Sequence, residues 1–247
     1  MRANAVRAAV AIVASTLLTS WRSLTDGETR FLSAYYWLNQ GATRRVDLAP
    51  VRITCLASAG SHALSKALQP LGVEAKTELT LRSRKDPKAK SSDGDVEASP
   101  GDADAITIGN TIFFRGKFCS SDFAPDYPRK PKPLEQSLLA HEVMHVWQQQ
   151  HASLTGYSLT RIIAEHVQYG DEAYRYEPPV PNRSIVSYRL EQQARMMQDY
   201  TYWKLKGDLR YKKLEPLLRQ AFDVDRRRAG PHAARSIRPQ CSACPMP

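Results

Sequence analysis

Apolar and polar positions change their period several times along the chain, and each change marks an expected element. An apolar run from Ala8 to Leu18 follows Arg2 and Arg7. Thr25 or Asp26 then suits a helix cap, and Phe31, Ala34, Tyr35 and Leu38 fall on one face of a helix that should stop near Gly41. Val51–Leu56 reads as a short strand. Ser61–Leu71 reads as a helix ended by Pro70 and Gly72. Thr77, Leu79 and Leu81 alternate with polar residues as in a half-buried strand. Residues 84–104 carry almost no large apolar side chain and are rich in Lys, Asp, Ser, Gly and Pro, so they predict a flexible insertion.

The second half is more strongly patterned. Ala105–Ile108 and Thr111–Phe114 flank Gly109-Asn110, which predicts a hairpin with a two-residue turn. Pro125, Pro128, Pro131 and Pro133 predict a stiff, extended lead into a helix that runs without Gly or Pro from Leu134 to His151. Further helices are expected over 158–169, with Leu159, Ile162, Ile163 and Val167 on one face, over 185–205, and over 211–225, with Leu214, Leu217, Leu218 and Phe222 inward. Residues 174–182, with three prolines, form a loop. Strands followed by helices give an α+β order: a small antiparallel sheet or hairpin, then a long helix, then more helices.

The 247 residues, 42% hydrophobic, accommodate one large domain, placed at 22–225, with a leader at 1–20 and a basic, Pro-rich tail at 226–247 expected to be disordered. The leader's apolar run has the length of a secretory h-region and is too short to span a bilayer, so export to the periplasm or beyond is the expectation. The net charge of +10 is concentrated in 204–238 without a nucleic-acid motif, which reads as a solvated tail. Cys241 and Cys244 lack the second pair that a zinc ribbon requires. Cys55 and Cys119 could pair across the fold.

The chemistry lies in Leu138–Gln148, which contains H-E-x-x-H. Four residues make just over one helical turn, so His141 and His145 share a face and can chelate one zinc ion, with Glu142 placed as general base toward a water on the metal. A catalytic zinc needs a third protein ligand. Glu191, on the next long helix and followed by the small Ala194, is the first candidate. His151 is the second, but Gln148 occupies the position where a chain turn would need Gly, so the helix should continue and carry His151 about 600° past His145. Glu165, His166, Asp171 and Glu172 remain as alternatives. Each ligand histidine should have an Asp or a carbonyl on its outer nitrogen. Tyr157, Tyr188 or Tyr200 could assist at an oxyanion, and strand 111–114 could accept an extended peptide.

Leu139–Gln148, the preceding Gly109–Phe114 and the following Glu191–Ala194 together resemble the zinc-peptidase-like domain of Rhs/Vgr-associated bacterial proteins and extracellular contractile injection systems, over about residues 22–205. The resemblance implies a zincin-like, gluzincin-type fold with a hairpin near the active-site helix, and it matches His141, Glu142, His145 and Glu191. The expected function is a one-zinc metallopeptidase acting on a peptide, protein or peptidoglycan. The rival is a catalytically silent zinc-binding module of a bacterial secretion or injection apparatus. A basic surface-binding protein, with the motif incidental, is a third reading.

Overall fold

The computed structural model describes residues 21–36, 46–56, 105–115, 118–177 and 183–222. The leader, the elements expected over 61–71 and 77–81, the insertion at 84–104, Leu38, Cys241, Cys244 and the tail at 226–247 lie outside them. The described part is α+β. Its strands are β1 (Trp21–Ser23), β2 (Arg52–Leu56), β3 (Ala105–Ile108) and β4 (Thr111–Arg115). Its helices are α1 (Asp26–Tyr35), α2 (Pro133–Gln150), α3 (Ala152–Thr155), α4 (Leu159–Tyr169), α5 (Leu190–Lys206) and α6 (Tyr211–Leu218).

The sheet order is β1-β2-β4-β3. β1 and β3 run antiparallel to their neighbours, but β2 pairs with β4 in parallel, Ile53 opposite Ile112. The sheet is therefore mixed, not antiparallel as expected. A parallel pair needs a long connection between its strands, and residues 57–104 are long enough to provide one. The Gly109-Asn110 turn forms as expected, with Gly109 at φ +68° and Ile108 paired to Thr111. Because β4 is paired on both sides, strand 111–114 cannot accept a peptide. Among the described residues, the edge next to it is β3. A disulfide joins Cys55 of β2 to Cys119.

Thr25 caps α1 in a reciprocal capping box with Glu28. Glu28 is fully buried and also accepts two hydrogen bonds from Arg22 and one from the Phe123 amide, so one carboxylate ties β1, α1 and the 118–124 loop together. The prolines before α2 do not form an extended lead. Residues 124–130 turn twice, with Tyr127 N–H donating to Ala124 and Arg129 N–H to Asp126, and only Pro133 acts as expected, at the helix start.

α2 is buried on nearly all sides from Leu139 to Gln148, as befits a helix enclosed by a sheet and other helices. Its principal partner is α5. Trp147, fully buried, meets Phe222 at 4.9 Å, and Leu214, Leu217, Leu218 and Phe222 all point inward as expected. α2 ends at Gln150 and does not run on through His151. His151 leaves the helical region at φ −118°, ψ 38°, and the Thr155 hydroxyl donates to the Gln148 carbonyl, closing the helix end. α4 buries Glu165, while Leu159, Ile162 and Ile163 are half-buried. α5 starts at Leu190, later than expected. A 3-10 turn (Ile185–Ser187) and extended Tyr188 and Arg189 precede it.

Replacing Glu28 by Ala should lower unfolding free energy by about 3 kcal/mol or more in a denaturant titration, since it leaves the Phe123 amide and Arg22 without their buried partner.

Candidate metal centre

α2 and α5 bring together His141, His145 and Glu191, all buried, as a group able to hold a metal ion. The two Nε2 atoms are 3.2 Å apart, and each lies 3.4 Å from Glu191 Oε2. Bonds of about 2.0–2.1 Å at tetrahedral angles separate donor atoms by about 3.3 Å, so this triangle has the dimensions of three faces-sharing ligands around one ion. The buried Oε2 has no hydrogen-bond partner, which suits an atom whose lone pair is meant for a metal. The residues present therefore fit the metal inferred from the sequence, and Glu191 is a buried site residue rather than a surface charge.

The surroundings of each ligand have separate origins. Gln148, one turn after His145, accepts from or faces His145 Nδ1 at 2.9 Å through its side-chain carbonyl. Its amide nitrogen donates to the Leu190 carbonyl at 2.9 Å and to Gln193 Oε1 at 3.1 Å. One side chain thus orients a ligand on α2 and holds the start of α5 beside it. His141 Nδ1 is buried and has no hydrogen-bond partner among the described residues, so the expected outer partner exists for one histidine only. Ala194, fully buried, lies on the face of α5 turned to the core.

Glu142 lies on the β3 side. Thr107 Oγ1 donates to Glu142 Oε2 at 2.7 Å. In the alternation of β3, Ala105 and Thr107 are buried while Ile106 and Ile108 are half-exposed, which turns the small polar residue toward α2.

The other weighed residues take different places. His151 Nδ1 faces the Trp147 carbonyl at 2.9 Å and its ring lies against Trp147, so it is no part of the triad. His166 Nε2 donates to Glu191 Oε1 at 2.8 Å, and Glu165 accepts the Leu190 amide at 3.0 Å. Asp171 and Glu172 stay exposed on the turn after α4. Of the three tyrosines, Tyr200 is fully buried in the core and Tyr188 lies under the Arg183 guanidinium. Tyr157 is the one sensitive to the site: burial, then the charges of Glu191 and Glu142, push its phenol up to about 12. Sequence reasoning missed Tyr174, whose ring faces His141 at 6.0 Å and His166 at 5.6 Å. It also missed the roles of Gln148 and Thr107. The one available signal was Gln148 itself, a polar residue three positions after His145 in an otherwise apolar run.

Burial alone would lower the His145 pKa. The charge of Glu191, its hydrogen bond, the charge of Glu142 and the bond to Gln148 outweigh it and raise His145 to about 9. For Glu191, burial acts upward, but the charge of His145, the nearby His141 and His145 imidazoles and the hydrogen bond from His166 hold it well below the carboxylate range. With the folded value above the unfolded 6.5, the pair stabilises the metal-free fold fully below about pH 6.5 and loses that contribution as pH rises through about 9. A metal must displace this proton. Calorimetry in buffers of different ionisation enthalpy at pH 7.5 should show about one proton released per ion, falling toward none above pH 9. Heats independent of buffer would contradict this.

Gln148→Leu should weaken metal affinity about 10- to 100-fold, read by competition with a chelating dye.

Residues 80–153 match the family model of the eCIS core domain, that of the extracellular contractile injection system. The matched segment is less than a third of the chain and shorter than the span of the expected resemblance. It contains β3, β4 and α2 with His141, Glu142 and His145, and it stops before Glu191. No curated protein and no solved structure matches the chain.

Proposed function

We propose that this chain is a zinc-dependent hydrolase of peptide bonds. One observation carries the reading: a carboxylate outside the candidate triad, Glu142, follows directly on His141 and, among the described residues, is fixed by a hydrogen bond through one oxygen. A structural metal site has no use for such a group, whereas hydrolysis needs a base beside the metal.

His141, His145 and Glu191 Oε2 would hold the ion. Zinc there supplies Lewis acidity, polarising a carbonyl and acidifying water. Thr107 steadies Glu142 Oε2, leaving Oε1 to take the proton from the attacking water and deliver it to the departing amine. Tyr157, whose pKa is pushed up to about 12, stays neutral at physiological pH and is a hydrogen-bond donor toward negative charge developing on the substrate oxygen. The backbone of edge strand β3, which carries Thr107, offers an extended substrate a strand to pair with beside the base. The buried imidazoles and the α2–α5 contact keep bulk water from the inner side of the site.

A second reading is supported by the match to the eCIS core domain: a metal-binding module of a contractile injection system that cleaves nothing. Activity and metal content distinguish the two. For the hydrolase, Glu142→Gln should keep one zinc per chain and lose peptide cleavage by about a hundredfold or more. Glu191→Ala should lose the metal, and His151→Ala should keep both metal and activity. A zinc-loaded wild type that cleaves no member of a peptide or cell-wall library would favour the module.

A further inference from the structure

We propose that His166 is a positioning residue that keeps Glu191 a one-oxygen ligand and so holds a coordination position open at the metal. This rests on the metal-site reading above and adds to it a reason why the ion remains accessible.

The two oxygens of Glu191 have different surroundings. Oε1 accepts a hydrogen bond from His166 Nε2 at 2.8 Å, while Oε2 has no hydrogen bond and lies 3.4 Å from each ligand imidazole. A carboxylate beside a metal can bind through one oxygen or both, and a second oxygen would occupy the position that substrate or water needs. A donor fixed on Oε1 holds that oxygen away from the ion.

His166 is well placed for this task. It comes from α4, not from either ligand helix, and Tyr174 braces its ring edge-on at 5.6 Å. The preceding residue, Glu165, fixes the backbone of the same ligand. Its Oε2 accepts the amides of Leu190 at 3.0 Å and Glu191 at 3.4 Å, and Arg161 holds its Oε1 at 3.2 Å. α4 therefore grips residue 191 at both ends, the start of α5 through Glu165 and the carboxylate through His166. The imidazole points at the carboxylate and is absent from the group of atoms able to surround one ion. His166 also keeps 35% of its side-chain exposure, against 3% for Glu191, so it stands at the rim of the site.

The test loads the full-length protein with cobalt(II), whose visible absorption is strong when four-coordinate and weak when five-coordinate, and measures zinc affinity by competition. Wild type and His166→Gln, which keeps an N–H donor, should show the strong band. His166→Ala should show the weaker band and about 10- to 100-fold lower zinc affinity, while keeping a cooperative melting transition in the metal-free state. If His166→Ala keeps the wild-type band and affinity, or if His166→Gln behaves as His166→Ala does, the positioning role is wrong. Complete loss of metal in both variants would make His166 a ligand and also overturn it. A wild type that takes up no cobalt would instead sink the metal site itself, and this inference with it.

Discussion

The close apposition of α2 and α5 is the constraint on which the site depends, and Gln148 is where it is enforced. Its carbonyl meets a ligand imidazole on one helix while its amide holds the Leu190 carbonyl and Gln193 on the other. Gln148 and Gln193 stand 45 positions apart in sequence, so nothing local brings them together. A buried amide of this kind is stable only when both ends are satisfied, and satisfying both fixes the rotation of α2 relative to α5. That rotation sets the distance from Glu191 Oε2 to the two histidines. The hydrophobic contact of the helices supplies attraction, and the polar side chain supplies register.

Around that register the site is assembled from four elements. α2 provides two candidate ligands and the carboxylate of Glu142, α5 provides the third, and α4 and β3 each send a polar group to steady a carboxylate. The two carboxylates are treated alike: each has one oxygen tied by a neighbouring element, Glu142 by Thr107 and Glu191 by His166. Such partial restraint orients an acid without exhausting its capacity to bind.

Much of this was legible in the chain. H-E-x-x-H fixes a helical face by spacing alone. His151 lies outside the candidate group, but not for the expected reason, since α2 stops at Gln150 and does not continue. Glu191 was legible because it opens a long helix one turn before a small residue. The hairpin was legible because Gly109-Asn110 has few alternatives. What escaped was non-local. The parallel pairing of β2 with β4 has no local signature, since each strand alone reads the same in either direction. Glu165 and His166 read as rival ligands because sequence offers residue types, not distances. The contacts of Glu165 and His166 with residue 191 had no signal in the spacing of Leu159, Ile162 and Ile163.

The ligands lie on two helices separated in sequence by α3 and α4, and this has a thermodynamic side. An ion bound to His141, His145 and Glu191 closes a loop that encloses both intervening helices, so it acts as a reversible cross-link whose strength is set by free-metal concentration. The cohesion of this half of the protein then becomes a function of its surroundings. The same three atoms, if they hold a metal, would also report through the stability of the fold how much metal the compartment contains.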